Sequence, residues 1–169
     1  MSHAIPHPDA SARVVGCAVL TVSDTRTPET DKSGQFLRVS LTDAGHRVMA
    51  YQLVPDEPDR VREWVMQWGE QPDIEAIILN GGTGIAPRDT TYEAIAALLD
   101  KTLPGFGEIF RLLSYEQIGS RAIASRAIAG TYRHAVLFSL PGSLKAVELG
   151  TTRLILPELR HLVTQMQGH

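Results

Sequence analysis

A glycine-rich segment at residues 81–89 contains the residue types in this sequence that could do chemistry. An apolar run at residues 77–79 leads into Gly-Gly-Thr-Gly at residues 81–84, and Asp89 closes the segment. Glycines permit backbone angles and close approaches that let N–H groups point at a phosphate or carboxylate. A carboxylate beside a bound phosphate is a typical Mg²⁺ ligand. The segment therefore predicts a site for a phosphate and a metal ion, with a plain tight strand-to-helix turn as the alternative.

Two common nucleotide-binding motifs do not fit this segment. No lysine follows the glycines, so the P-loop pattern is absent, and the glycine spacing does not match G-x-G-x-x-G. A dinucleotide-binding oxidoreductase is therefore disfavoured.

Strand and helix signals alternate on both sides of the segment. Buried strands are predicted at residues 16–22, 47–54 and 74–79, and an antiparallel hairpin at residues 127–132 and 134–140. Helices are predicted at residues 33–44, 61–69, 90–99, 109–115, 144–150 and 154–166, with a short helical or mixed segment at 118–127. This order predicts an α/β fold, namely a three-layer α-β-α sandwich with a mostly parallel sheet and an antiparallel C-terminal hairpin.

Some local signals carry more specific expectations. Trp64 and Trp68, four residues apart, are predicted to pack in the core. Thr90 and Glu93 have the spacing of a capping box. The Pro-Gly-Phe-Gly-Glu run at residues 104–108 is predicted to interrupt the chain before the next helix.

Polar loops follow the predicted strands directly. They are Ser23-Asp24-Thr25-Arg26, Pro55-Asp56-Glu57, the segment at residues 81–89, and Pro141-Gly142-Ser143. Because ligands of open α/β sheets bind beyond the carboxyl ends of the strands, these loops are predicted to converge on one anionic-ligand site.

Length, charge and cysteine content exclude several classes of protein. A chain of 169 residues is predicted to hold a flexible tail at residues 1–12 and a single domain at residues 13–169. The net charge of −3 gives no indication of the basic surface that nucleic-acid binding requires, so DNA or RNA is not expected as a partner. Cys17, the single cysteine, lies in an apolar run and is predicted to be buried and inert, so disulfides and Cys-ligated zinc within the chain are excluded. No apolar run has the length of a membrane span, and a cytoplasmic protein is expected.

A set of motifs in fixed order gives the chain a family resemblance. The motifs are Thr21-Val22-Ser23-Asp24-Thr25-Arg26, Gly81-Gly82-Thr83-Gly84 with Pro87-Arg88-Asp89, Pro104-Gly105-Phe106-Gly107-Glu108, Ser125-Arg126-Ala127 with Gly130, and Pro141-Gly142-Ser143. Together they resemble the molybdopterin-binding domain of molybdenum-cofactor biosynthesis, the MoaB/MogA type that also forms the G domain of gephyrin-like proteins. The resemblance covers about residues 12–163 and is closer to MoaB than to MogA.

This resemblance implies an adenylyl transfer from ATP to the terminal phosphate of molybdopterin, with release of pyrophosphate. It implies that Asp56 and Asp89 are catalytic and bind Mg²⁺, although alone they could be a turn residue and a helix N-cap. A non-catalytic molybdopterin-binding or scaffold protein of the same pathway is the alternative, and the acidic pair favours the enzyme.

The resemblance also implies which residues surround the substrates and how the chains assemble. The implied binding residues are Ser23, Asp24, Gly81, Gly82, Thr83, Gly84, Arg88, Glu108, Ser125, Arg126, Pro141, Gly142 and Ser143. Arg26, Arg88 and Arg126 are candidate phosphate clamps, and Glu108 either faces the pocket or lies where the chain merely turns. A homotrimer or hexamer is implied, with Phe106, Phe110 and Leu113 either in the subunit interface or in the intrachain core.

Overall fold

A six-stranded sheet is the middle layer of the structure, a computed structural model that describes residues 13–168. The strands are β1 (Gly16–Val22), β2 (Arg47–Val54), β3 (Ala76–Asn80), β4 (Lys101–Thr102), β5 (Ile128–Tyr132) and β6 (Ala135–Leu140). Their order in the sheet is β2-β1-β3-β6-β5-β4. The first four in that order are parallel, and β5 is antiparallel to both of its neighbours. The predicted fold class is confirmed, and the predicted tail at residues 1–12 lies outside the described residues.

Helices cover both faces of the sheet. They are α1 (Lys32–Asp43), α2 (Pro58–Gly69), α3 (Thr91–Leu98), α4 (Pro104–Ile118), α5 (Leu144–Gly150) and α6 (Leu156–Met166). A 3₁₀ segment (Gly119–Ala124) follows α4, and a π-helical turn (Thr151–Ile155) joins α5 to α6. Buried side chains of α1, α4, α5 and α6 share one apolar cluster, and those of α2 and α3 share the other. Within residues 13–168, none of these helices combines the length and hydropathy that a membrane span requires.

The central strands are apolar on both sides because each side meets a helical layer. Along β1, Cys17 and Val19 belong to the first apolar cluster, whereas Ala18 and Leu20 belong to the second. This alternation within a continuous apolar run is typical of a parallel strand that is buried on both faces. Cys17 has no exposed surface, and burial raises the pKa of its thiol to about 12. The predicted burial of Cys17 is confirmed.

Aromatic side chains complete the two clusters. Trp68 is buried and Trp64 packs beside it, with 5.5 Å between the ring centroids. In the other layer, Phe110 is buried and the ring of Phe106 lies 5.3 Å from that of Phe138. The core role of the tryptophans is confirmed, and the phenylalanines belong to the intrachain core.

Helix α4 begins earlier than the sequence predicted. Pro104 occupies its first turn, where the missing N–H of proline costs nothing. Gly107 is buried in the same turn, and a Cβ there would lie 2.8 Å from the carbonyl oxygen of Ala127. The run at residues 104–108 is therefore wrongly predicted as an interruption, because Gly107 allows the helix to pack closely against the chain before β5. The two-residue strand β4 was not predicted at all.

The connections fix where a ligand site can form. After β1 the chain crosses to β2 at one edge of the sheet, and after β3 it crosses to β4 at the other edge. The adjacent carboxyl ends of β1 and β3 therefore mark the topological switch point, which is where open α/β sheets bind ligands.

Candidate functional site

A cavity of about 480 Å³ lies at the carboxyl edge of the sheet. Its wall contains ten of the predicted site residues, namely Ser23, Gly81, Gly82, Thr83, Gly84, Asp89, Ser125, Pro141, Gly142 and Ser143. They come from the loops that follow β1, β3 and β6 and from the segment that precedes β5. The structure therefore brings most of the predicted loops together at one concave site.

The first residues of the glycine loop, defined here as residues 81–89, require the absence of a side chain. Gly81 and Gly82 have φ values of 100° and 68°, in the left-handed region that favours glycine. A Cβ on Gly81 would lie 2.0 Å from the carbonyl oxygen of Val22. The N–H of Gly81 donates to the carbonyl oxygen of Leu140 at 3.0 Å. The loop is thus held against the ends of both β1 and β6.

Residues 82–85 of the glycine loop leave their backbone N–H groups without a partner among the described residues. Within residues 13–168, no acceptor takes a hydrogen bond from the N–H groups of residues 82–85. The amides on either side are satisfied, since Gly81 N–H is bonded to β6 and Ala86 N–H donates to Asp89 Oδ2 at 3.1 Å. Successive unpaired N–H groups in a turn form an anion-binding concavity. The glycine loop therefore offers a row of donors to a phosphate.

Positive side chains outnumber negative ones on the cavity wall. Its charged residues are Arg26, Arg121 and Asp89. The Nη2 of Arg26 donates to the carbonyl oxygen of Gly142 at 2.8 Å, so this arginine joins the loops after β1 and β6. Arg121 lies in the 3₁₀ segment and was missed by sequence reasoning, because no motif surrounds it. The electrostatics of the cavity favour an anion.

Arg26 is itself held by a buried carboxylate. Asp31 is 1% exposed, and its Oδ1 lies 3.7 Å from Nη1 of Arg26. The same carboxylate accepts from the N–H of Gly34 at 2.9 Å, which caps α1, and from the hydroxyl of Tyr51 at 2.6 Å. Burial and this hydrogen bond raise the pKa of Tyr51 to about 12. The loop after β1 is therefore anchored to both α1 and β2.

Asp89 is the acidic residue that lines the cavity. It is half-buried, and its Oδ2 accepts the hydrogen bond from Ala86 N–H. Thr90, rather than Asp89, occupies the N-cap position of α3, so the alternative in which Asp89 is only a helix N-cap does not hold. Residues 13–168 contain no group of three metal-binding side chains. One or two carboxylates with phosphate oxygens are enough for Mg²⁺, and Asp89 fits that donor set.

Asp56 lies outside the cavity wall and is engaged with α3. It is 6% exposed, and its Oδ1 accepts from the N–H and the hydroxyl of Thr90 at 3.2 and 2.9 Å. The hydroxyl of Thr91 approaches the same oxygen at 3.4 Å. A carboxylate at a helix N-terminus is stabilised by the helix dipole. Asp56 thus caps α3, and the predicted capping box of Thr90 and Glu93 does not form, because Thr90 bonds to Asp56 and Glu93 to Arg126.

Asp24 and Arg88 form a bidentate ion pair that is not part of the cavity wall. The guanidinium donates from Nε and Nη2 to the two carboxylate oxygens at 2.8 and 2.9 Å. Asp24 Oδ1 also accepts from the N–H of Asp56 at 3.0 Å. These hydrogen bonds, that of Arg88 foremost, lower the pKa of Asp24 to about 2. The pair joins the loop after β1 to the glycine loop, and the bond from Asp56 N–H adds the loop after β2.

The predicted residues Arg126, Glu108 and Ser125 differ in their relation to the cavity: the first two lie outside its wall, and Ser125 lines it. Arg126 binds loop carbonyls and Glu93, and it does not line the wall. Glu108 is exposed on α4 and also lies outside the wall. The buried Oγ of Ser125 has no hydrogen-bond partner among the described residues, although it lines the cavity. An unpaired hydroxyl at this position is available to a polar ligand.

The fold and site define an α/β domain with a cavity at its switch point, on whose wall arginines outnumber carboxylates. Residues 18–161 match the family model described as a probable molybdopterin binding domain. The chain is 53% identical over 161 residues to molybdenum cofactor biosynthesis protein B of Halalkalibacterium halodurans, with 95% of each chain covered. The Bacillus subtilis protein of the same name is 52% identical over 162 residues, again with 95% of each chain covered.

Solved structures give the same relationship. A crystal structure of molybdenum cofactor biosynthesis protein B has a TM-score of 0.90 and 49% identity, covering 93% of this chain and 98% of that one. The tungsten cofactor synthesizing protein MoaB from Pyrococcus furiosus has a TM-score of 0.82 and 36% identity, covering 92% and 98%. A MogA structure is 27% identical, with a TM-score of 0.81 and coverage of 89% and 99%. The chain belongs to the MoaB/MogA family of molybdenum cofactor biosynthesis proteins.

The Asp24–Arg88 pair predicts a pH dependence. The pKa of Asp24 is depressed in the folded state, so the ion pair stabilises the folded protein fully above the ordinary aspartate pKa of about 3.9. This contribution to the folding stability is lost as the pH falls toward 2. A carboxyl-detected NMR titration should place the midpoint of Asp24 near 2, and Arg88→Ala should raise it. The midpoint of Asp24 in the urea-unfolded protein is the reference. An equal midpoint in the folded wild type would contradict the ion pair between Asp24 and Arg88.

The steric requirement at Gly82 predicts a stability loss. A Cβ there would lie 2.0 Å from Oγ1 of Thr91 and 2.6 Å from Oδ2 of Asp56. We expect Gly82→Ala to reduce the free energy of unfolding by about 1–3 kcal/mol, from backbone strain and the displaced start of α3. Gly105→Ala is the matched control, because a Cβ at Gly105 meets nothing within 4 Å. Equal urea midpoints for the two variants would contradict this steric requirement.

Proposed function

We propose that the cavity binds molybdopterin and ATP and that the protein transfers AMP to the terminal phosphate of molybdopterin. The observation that carries the proposal is the row of unpaired N–H groups at residues 82–85, which suits phosphate oxygens. Arg26 and Arg121 on the wall add positive charge. Membership of the MoaB/MogA family supports molybdopterin as the partner substrate.

The proposed reaction needs no general base. The second pKa of a phosphate monoester is about 6, so the terminal phosphate of molybdopterin is already ionised at neutral pH. One of its oxygens attacks the α-phosphorus of ATP, the bond from that phosphorus to the bridging oxygen breaks, and pyrophosphate leaves with the electron pair. Among the described residues, none of those on the cavity wall is a histidine, cysteine or lysine, which agrees with a reaction that relies on alignment and charge stabilisation.

The residues of the site divide the remaining work. The N–H groups of the glycine loop and the guanidinium of Arg121 offset the repulsion between the two anionic substrates. The Ser125 hydroxyl, which has no partner among the described residues, is available to donate to a phosphate or to the pterin. Asp89 would hold Mg²⁺, which when bound neutralises charge on the ATP phosphates. Asp56 supports this arrangement by fixing the start of α3.

A non-catalytic molybdopterin-binding protein is the second candidate function. The observation in its favour is that Asp56 directs its Oδ1 to Thr90 and does not line the cavity. Asp89 is then the carboxylate of the wall that remains for metal-dependent chemistry. Asp89 therefore discriminates between the two functions.

Replacing the Asp89 carboxylate tests the enzyme. In Asp89→Asn we expect kcat for pyrophosphate release, with molybdopterin, ATP and Mg²⁺, to fall by at least a hundredfold, since each factor of ten is about 1.4 kcal/mol of lost transition-state stabilisation. The melting temperature should stay close to that of the wild type, because Asn keeps an oxygen for Ala86 N–H. Asp43→Asn, at the exposed end of α1, is the matched control. Turnover within about threefold of the wild type in Asp89→Asn would remove Asp89 from the catalytic role, and a wild type that releases no pyrophosphate would favour the binding protein.

We also propose that the protein assembles as a trimer or a hexamer. Ile109, Leu112 and Tyr115 lie three residues apart on α4, and they are 48%, 61% and 61% exposed in the single chain. A contiguous apolar strip of this kind is typical of a surface that another chain covers. Light scattering at micromolar concentration should give a mass of three or six chains, and Leu112→Glu should lower it. A single 18.5 kDa species would contradict the proposal.

A further inference from the structure

Arg126 binds the backbone of the glycine loop and lies outside the cavity wall. Its Nε donates to the carbonyl oxygen of Thr83 at 2.9 Å, its Nη2 donates to that of Gly84, and the same Nη2 lies 3.4 Å from the carbonyl oxygen of Asp89. We propose that Arg126 is a positioning residue that turns the unpaired N–H groups of the loop toward the anion. The inference rests on the proposed function, because it names the group that orders its phosphate site.

Peptide geometry links the carbonyls that Arg126 holds to the amides that remain free. The described chain contains no cis peptide bond, and in a planar trans peptide the C=O and the following N–H point in opposite directions. The carbonyls of Thr83 and Gly84 point at Arg126, so the N–H groups of Gly84 and Ile85 point away from it. Thr83 and Gly84 line the cavity and Arg126 does not. In this proposal, the guanidinium thereby orients these two N–H groups toward the cavity.

The guanidinium is itself fixed by the first turn of α3. Its Nη1 pairs with the carboxylate of Glu93, and its Cζ lies 4.8 Å from the ring centroid of Tyr92. The hydrogen bond from Arg126 also lowers the pKa of Glu93, which keeps that partner ionised. The side chain of Arg126 is 23% exposed, so these charge-assisted contacts are partly shielded from water. Arg126 thus joins three parts of the site: the glycine loop, α3 and the segment before β5.

This role differs from that of a phosphate clamp, and the substitution Arg126→Lys distinguishes the two roles. A clamp acts through its positive charge, which Arg126→Lys retains. A positioning residue needs the planar fork that reaches two carbonyls and a carboxylate at once, and a lysine ammonium does not reproduce that geometry. Arg133 is the matched control, because it also stacks on a tyrosine, at 5.6 Å, and pairs with a glutamate, but at the β5–β6 turn.

The experiment measures ATP affinity and loop order separately. Calorimetry with ATP and Mg²⁺ should give an affinity at least tenfold lower for Arg126→Lys than for the wild type, and an unchanged affinity for Arg133→Lys. In the ligand-free proteins, the backbone ¹⁵N order parameters of Gly84 and Ile85 should fall from about 0.85 to below about 0.6 in Arg126→Lys alone. The melting temperature of each variant is recorded to confirm that it is folded.

Each other outcome has a defined meaning. Unchanged affinity in Arg126→Lys would overturn the positioning role. Weaker binding with unchanged order parameters would also overturn it, because the loss of affinity would then not come from the order of the loop. If the wild type binds no ATP, the proposed function fails, and the order parameters alone decide the role of Arg126. Should Arg126→Lys fail to fold, Glu93→Gln removes the charge of the exposed partner, and a smaller loss of order and affinity in the same direction is expected. No change in Glu93→Gln would then overturn the proposal.

Discussion

The close approach of Gly81 to the ends of β1 and β6, the two strands that flank β3, is the constraint on which the site depends. A Cβ at this position would lie 2.0 Å from the carbonyl oxygen of Val22, and the Gly81 N–H is bonded to Leu140. Because backbone atoms form both contacts, a side chain could not be accommodated by a change of rotamer. On the other side, an added Cβ at Gly142 would lie 3.0 Å from Cα of Gly81. The strand-end loops therefore meet closely enough to enclose one cavity.

Most charged side chains around the cavity are engaged with the protein. Asp31 and Asp56 are buried and cap α1 and α3, Asp24 pairs with Arg88, and Arg126 holds the glycine loop. A charge that leaves water requires such partners, because burial without them is costly. The side-chain charges thus fix the loops, and backbone N–H groups are left for the ligand. Donors fixed in this way need no reorganisation when an anion binds, and this is the condition for strong electrostatic stabilisation.

The sequence predicted the sheet and the position of the site, but not how its charged residues are partnered. Apolar runs that end in polar loops identify parallel strands, and the carboxyl-edge rule then brings those loops together. Partners are set by distances across the fold, as between Arg126 and Thr83, which are 43 residues apart. Arg121 has no sequence signal, because a lone arginine after a helix is usually a solvated charge. Pro104 was misjudged because its local composition resembles a turn, whereas packing against β5 favours a helix.

The position of Asp89 limits how an anion can occupy the cavity. Its carboxylate lies on the same wall as the unpaired N–H groups, so a bare phosphate there is attracted by the amides and repelled by Asp89. The hydrogen bond from Ala86 N–H reduces that repulsion but leaves the negative charge in place. A divalent cation between a phosphate oxygen and a carboxylate oxygen of Asp89 replaces the repulsion with two attractive contacts. On the proposed function, phosphate binding and the cation are therefore coupled, and Asp89 makes the affinity of the site for ATP depend on Mg²⁺.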